Sequence, residues 1–379
     1  MDGMNDRRIF LKGAAAAAGL SALSGLVGAR AVTDGSDILV PEPGIAKLNA
    51  NENPTGPSVR AKKAIAEAAQ YSAYYVGENV RRLKSMIAER HGLSTSNVAL
   101  SSGSSGVLTY LAVAASRRGE ILCADLFWDT TAKAAERQGA VLRRLPKSPD
   151  LSIDLGQMAA GITSAIALVH VTNPNNPTGL MQEPEALRKF CRTAAAKTYV
   201  LVDEAYNEVT DDPSRNSMVD LVREGHNVAV ARTFSKIYGL AGLRIGYMLG
   251  SEEIIEQVNQ FSLGDYALNQ AGVAAALASY NDEAFIRYSK AIILEGRGMI
   301  EEAVRSHGLR ALPSQTNFLF VDLGGLNAET FRAEMAQRGV LIRGIYRDYT
   351  NWSRVSMGRL SDVQSYVDVL PQVLEAMNA

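Results

Sequence analysis

The chain has 379 residues, of which 47% are apolar, and a formal net charge of −1. That length and apolar content allow a large buried core and point to two domains. The balanced charge leaves no basic face for nucleic acid and no acidic tail.

The first segment, residues 1–31, stands apart. Arg7-Arg8-Ile9-Phe10-Leu11-Lys12 precedes an uncharged stretch, Gly13 to Gly28, dominated by Ala, Gly and Leu. Ala29-Arg30-Ala31 then offers small residues where a signal peptidase reads them. A charged, apolar, small-residue order is that of an export signal. The paired arginines resemble the twin-arginine type, which implies a periplasmic or otherwise exported protein. The stretch is too short and too rich in Ala and Gly to span a bilayer comfortably, and no other segment is long and apolar enough. No membrane span is therefore expected in the mature chain.

Residues 32–57 read as an arm. Its second half, Lys47 to Pro57, is rich in Asn, Pro and Gly and reads as irregular chain before a helix. Helical periods follow near Val59–Gln70 and Asn79–His91. A series of short apolar runs comes next: Val98–Leu100, Ile121–Cys123, Ala140–Leu142, Ala165–Val171, Tyr199–Val202, Val228–Val230 and Leu243–Leu249. Helix-like stretches separate most of them, the pattern of a mostly parallel sheet covered on both faces. Residues 58–280 thus read as a large α/β domain. From about Asn281 a long helix reaches Ser306. Strands at Phe318–Val321, Val340–Ile342 and Arg354–Ser356 and a helix over Asp362–Met377 then make residues 281–379 a smaller α/β unit. Cys123 and Cys191 fall in apolar or helix-like runs, as buried free thiols do. The four histidines are scattered, without metal-ligand spacing, so no metal site is expected.

Chemistry concentrates where apolar runs end in polar loops. Ala167–Val171 ends in Thr172-Asn173-Pro174-Asn175-Asn176-Pro177-Thr178-Gly179. Val200–Val202 ends in Asp203-Glu204-Ala205-Tyr206. Val228–Ala231 ends in Arg232-Thr233-Phe234-Ser235-Lys236, with Arg244 just beyond. Val98–Leu100 ends in Ser101-Ser102-Gly103-Ser104-Ser105-Gly106 and then a helix. Ligands of open α/β sheets bind at such carboxyl ends. A Gly/Ser turn feeding a helix N-terminus suits an anion, although a plain loop has the same composition. A buried acid at a strand end needs a cationic partner, and a lysine there could equally be a structural ion-pair partner.

Taken together, these motifs in this order resemble the class I/II aminotransferases of fold type I, which use pyridoxal 5'-phosphate. The resemblance runs from about Asn49 to the end. Leu48-Asn49-Ala50-Asn51-Glu52-Asn53-Pro54 and Asn351-Trp352-Ser353-Arg354-Val355-Ser356-Met357-Gly358 resemble the histidinol-phosphate aminotransferase branch. The resemblance implies Lys236 as the Schiff-base lysine and proton shuttle, and Asp203 as the partner of the pyridine nitrogen. It implies Tyr206 and Asn176 at the cofactor's ring hydroxyl, and Ser104, Ser105, Thr233, Ser235 and Arg244 at its phosphate. Trp128 falls where an aromatic ring lies against the cofactor; the branch more often has Tyr there. Tyr75 falls where a tyrosine reaches the partner subunit's cofactor phosphate in a homodimer. The usual Tyr-Pro-Asp is missing, so Tyr74 is the alternative. Arg354 would clamp the substrate α-carboxylate with Asn51 beside it. Arg343 sits where the branch reads a distal phosphate, or is a solvent-facing arginine.

The implied reaction is ping-pong transfer of an amino group from an amino acid to a 2-oxo acid. A decarboxylase or β-lyase on the same fold is the alternative, because the residues alone do not select which Cα bond breaks. A non-catalytic exported binding protein is disfavoured by the intact Lys236, Asp203 and Arg354.

Overall fold

The computed structural model describes residues 43–378. Arg7, Arg8 and the rest of the expected export signal lie outside them, as does the start of the arm. The strands are β1 (Ala46–Lys47), β2 (Val98–Ser101), β3 (Glu120–Ala124), β4 (Leu142–Leu145), β5 (Ile166–Thr172) and β6 (Tyr199–Asp203). They continue with β7 (Val228–Thr233), β8 (Gly246–Leu249), β9 (Arg310–Ala311), β10 (Phe318–Asp322), β11 (Val340–Leu341) and β12 (Trp352–Ser356).

Seven strands form the main sheet in the order β2-β8-β7-β6-β5-β3-β4. The strands from β4 to β7 pair in parallel, and β8 runs antiparallel to both β2 and β7. Helices between the strands cover both faces, which is why the central strands are continuous apolar runs. Every residue of β6 and β7 is buried. Successive side chains of β6 alternate between two cores, Val200 and Val202 in one and Tyr199 and Leu201 in the other.

Two strands differ from the sequence expectation. The run Ala140–Leu142 overlaps β4 only at Leu142, and β4 contains Arg143 and Arg144. As an edge strand β4 tolerates them: Arg143 pairs with Glu120 at 2.8 Å and Arg144 with Asp129 at 2.9 Å. The run Leu243–Leu249 becomes strand only from Gly246, because Arg244 adopts a left-handed backbone with φ 53°.

The C-terminal part begins with the helix Glu283–Ser306, capped by Asp282, and carries the antiparallel sheet β12-β10-β9. The arm joins it. β1 pairs in parallel with β11, Leu48 N–H donates to the Leu341 carbonyl at 2.8 Å, and Ser356 N–H donates to the Leu48 carbonyl at 2.9 Å. Leu48 is fully buried, so Asn49 to Asn53 are delivered at a fixed height over the ends of the main sheet. Cys123 and Cys191 are buried and free. Among the described residues no helix is long and apolar enough to cross a membrane.

Candidate active site

A cavity of about 780 Å³ opens at the carboxyl ends of the central strands, between them, the arm and the segment Arg343–Arg354. Its lining contains Ser104, Ser105, Trp128, Asn176, Asp203, Tyr206, Thr233, Ser235, Lys236, Arg244, Asn51, Arg343 and Arg354. All but one of the residues singled out from the sequence therefore meet here. The exception is Tyr75, which is 77% exposed and packs edge-to-face on Tyr266 at 5.2 Å. Tyr74, the alternative, is 71% exposed.

The anion end is built on Gly103. The helix Ser104–Ser116 starts there without a side-chain cap, leaving its first N–H groups free to face a ligand. Gly103 has φ 74°, and a Cβ on it would overlap the Arg244 guanidinium. A Cβ on Gly246 would overlap the Ser104 amide. Gly103 is demanded by its left-handed backbone and Gly246 by the close approach of the Ser104 backbone, and together they bring Arg244 to the helix N-terminus. Arg244 Nη1 donates to Ser235 Oγ at 3.3 Å, and Thr233 Oγ1 donates to Ser235 Oγ at 2.9 Å. Free N–H groups, hydroxyls and one guanidinium on a single spot fit a phosphate.

Asp203 lies deeper. Its carboxylate receives one N–H, from Ala205 at 3.2 Å, and burial pushes its pKa up to about 7. A buried acid so poorly supplied with donors suits a cationic N–H entering the cavity. Tyr206 is buried, and its hydroxyl oxygen accepts from Asn51 Nδ2 at 2.9 Å and Asn176 Nδ2 at 3.2 Å. With both lone pairs engaged, its proton is left to donate into the cavity. Burial raises its pKa. A phosphate, a ring nitrogen and a ring hydroxyl each find a matching partner, so these residues fit pyridoxal phosphate.

Lys236 Nζ donates to the Asn51 carbonyl at 3.0 Å. Burial, with the positive Arg354 nearby, lowers its pKa to about 8. The amine is therefore partly neutral near physiological pH, as a nucleophile or proton carrier must be. Arg354 is buried, with Nη1 on Asn176 Oδ1 at 2.8 Å and Nη2 on the Asn49 carbonyl at 2.9 Å. Its Nε has no partner among the described residues. An unsatisfied donor on a buried guanidinium suits a carboxylate. Asn51 does not touch Arg354; it turns to Tyr206 and Lys236, and Asn49 takes the arginine. Arg343 is exposed, makes no ion pair among the described residues and lies 5.5 Å over the Tyr346 ring. Trp128 also lines the cavity, half-buried, after β3.

Sequence reasoning missed Ser356, Tyr346 and the Asn49 carbonyl. The signal for Ser356 was its place two residues after Arg354 on a strand, which puts both side chains on one face. Tyr346 flanks Arg354 at 5.4 Å, and nothing in a loop tyrosine announces that.

The sequence model of the family described as aminotransferase class I and II matches residues 43–370. The histidinol-phosphate aminotransferase of Moorella thermoacetica is 36% identical over 334 residues, covering 87% of this chain and 86% of that protein. The aromatic amino acid aminotransferase of Nocardia farcinica is 36% identical over 306 residues, 79% of this chain and 85% of that protein. The crystal structure of the Sinorhizobium meliloti histidinol-phosphate aminotransferase, solved with pyridoxal-5'-phosphate, superposes with a TM-score of 0.81 at 29% identity. That match covers 88% of this chain and 91% of the other.

Proposed function

This chain belongs to the class I and II aminotransferases, is a pyridoxal-phosphate-dependent transaminase of fold type I, and on that premise we propose how its residues divide the work. The reading rests on one observation above the rest: a Lys236 amine of lowered pKa, an underserved Asp203 carboxylate and the free Nε of Arg354 converge on one cavity.

Arg354 holds the substrate α-carboxylate and so fixes where Cα sits. Lys236 Nζ takes the proton from Cα. A bound cofactor would supply a sink for the electron pair left at Cα, and Asp203 would keep its ring nitrogen protonated. Tyr206 donates to the ring hydroxyl, with Asn176 and Asn51 holding the tyrosine. Ser104, Ser105, Thr233, Ser235 and Arg244 hold the phosphate. Trp128 would pack against the cofactor, and Arg343 would meet the far end of the substrate. The cycle is ping-pong: an amino acid leaves its amine, and a 2-oxo acid collects it. A panel of amino donors with 2-oxoglutarate and pyruvate as acceptors tests this, with CO2 and ammonia followed in parallel. New amino acid formed from the acceptor is expected; CO2 or ammonia as the main product would turn the reading to a decarboxylase or a β-lyase.

The same proposal includes location and assembly. Arg7-Arg8 and the apolar stretch behind them support twin-arginine export, a route for folded proteins, with the cofactor loaded beforehand. Histidinol phosphate is a cytoplasmic intermediate, so an exported enzyme would act on another amino acid. Arg7→Lys with Arg8→Lys should hold active precursor in the cytoplasm; unchanged export would remove the claim. The exposed Tyr74, Tyr75 and Tyr266 support a two-fold homodimer in which each cavity is completed by the other subunit.

A further inference from the structure

Asn51 is a junction. Its backbone is left-handed, with φ 52°, a region that asparagine enters more readily than most residues other than glycine. Ser356 holds it there: Asn51 N–H donates to Ser356 Oγ at 2.9 Å, and Ser356 Oγ donates back to Asn51 Oδ1 at 2.5 Å. Both residues are 2% exposed. So held, Asn51 aims its side-chain amide at the Tyr206 hydroxyl and its carbonyl at Lys236 Nζ, at 2.9 and 3.0 Å. Ser356 lies two residues beyond Arg354 on β12. The carboxylate clamp and the seat of the amine thus share one strand, and Arg354 grips the arm at Asn49 only two residues from Asn51.

We propose that Ser356 is a positioning residue for the transamination. Its hydroxyl fixes the Asn51 carbonyl on which the free Lys236 amine rests, and so registers the proton carrier to the carboxylate held by Arg354. The proposal rests on the reading of Lys236 as the cofactor lysine. The other groups that bear on this amine are Asp203, Glu52, Arg354 and Arg244, with the Tyr206 ring 5.6 Å away. None of them contacts Ser356, so a change at Ser356 reaches Lys236 through Asn51.

Ser356→Ala removes the hydroxyl and little else. For the holoenzyme we expect kcat to fall about tenfold, a fraction of the roughly 10²–10⁴ that a positioned proton-transfer group contributes, with KM for the amino donor little changed. A second measurement uses the cofactor-free protein: pyridoxal phosphate is added across a pH series, trapped with borohydride, and the labelled lysine mapped. A carbonyl acceptor favours the ammonium, so loosening it should move the capture midpoint to lower pH. Asn51→Gly keeps the carbonyl, the backbone angle and the N–H bond to Ser356 Oγ but removes the side-chain bond to Ser356, along with the one to Tyr206; it should shift the midpoint the same way. Because Ser356 Oγ still accepts from the residue-51 N–H, adding Ser356→Ala to Asn51→Gly should lower the midpoint by less than Ser356→Ala does alone. An unmoved midpoint in Ser356→Ala, or an undiminished effect in the Asn51→Gly background, overturns the proposal. Should Ser356→Ala fail to fold, an unmoved midpoint in Asn51→Gly does the same. Label on a lysine other than 236 would instead overturn the assignment of Lys236.

Discussion

Asp203 and Glu204 are neighbours at the end of β6, both buried carboxylates, and they live opposite lives. Glu204 is fully served: Arg232 at 2.8 Å, Ser217 Oγ at 2.9 Å and Met218 N–H at 2.7 Å. Its side chain is completely covered, and it ties β7 and the 217–218 turn to β6. Asp203 has one backbone N–H and a cavity in front of it. The chain reversed facing between the two residues, as successive strand residues do. A sequence shows only Asp-Glu; the fold makes one a satisfied bolt and the other an unmet demand. A buried polar group that the protein leaves wanting marks where a ligand is to be met.

Lys236→Ala should have the largest effect. It removes the buried cavity amine, leaving Lys133, which is paired with Asp129, so transamination should fall by roughly 10⁴-fold, with borohydride no longer fixing the cofactor to the protein. A mutant that still gave the fixed product would place the reactive lysine elsewhere.

The neighbouring acids then predict opposite mutants. Glu204→Gln leaves Arg232 short of its main counter-ion, with only Glu208 at 3.4 Å to face it. Urea unfolding should show a loss of about 3 kcal/mol, with turnover per folded molecule largely kept. Asp203→Asn should do the reverse, abolishing most turnover while leaving stability equal or higher. The pH dependence sharpens this. The pKa of Asp203 is raised on folding, from 3.8 to about 7. The folded state therefore holds the proton more tightly, so its contribution to stability is full below pH 4 and is lost as pH rises through 7. In cofactor-free protein Asp203→Asn should remove this decline, whose slope is at most about 1.4 kcal/mol per pH unit. Identical slopes in the two proteins would refute the contrast.

The same contrast explains what the sequence disclosed. Lys236, Asp203, Asn176 and Tyr206 could be placed on one edge of the sheet because each follows an apolar run into a polar motif; their roles, and Arg244, were implied by the family resemblance. The central strands were legible because parallel strands buried on both faces are apolar throughout. β4 was displaced because an edge strand accepts arginines that periodicity counts against it. Ser356 was legible only as a residue on the face of Arg354; its role was not, because its partner Asn51 is 305 positions away in sequence. That a serine in a strand will meet an arm asparagine is a fact of tertiary packing alone.

Arg354→Ala tests the other unmet demand, the free Nε. Every donor with an α-carboxylate should lose about 2–4 kcal/mol in kcat/KM, read mainly in KM. An amine without that carboxylate should lose much less. Equal losses for both would mean that Arg354 supports Asn49 and Asn176 rather than the substrate.

The smallest expected effect lies at the surface. Tyr75 is 77% exposed in one subunit, the reverse of a demand buried in the cavity, and in a homodimer it would reach the neighbouring phosphate site. Tyr75→Phe should weaken cofactor retention by about 1 kcal/mol, the net value of one neutral hydrogen bond. A charge there should matter more, since Tyr75→Asp would set a carboxylate against the phosphate. Mixing subunits separates the alternatives. Lys236→Ala and Tyr75→Asp are each expected to be inactive alone. If Tyr75 acts across the interface, their heterodimer has one cavity with both lesions and one with neither, and activity returns toward half of wild type. If it acts within its own subunit, every cavity keeps a lesion and nothing returns. Heterodimers that form, by mass, and stay inactive would overturn the action of Tyr75 across the interface and leave Tyr74, 71% exposed, as the residue to exchange next.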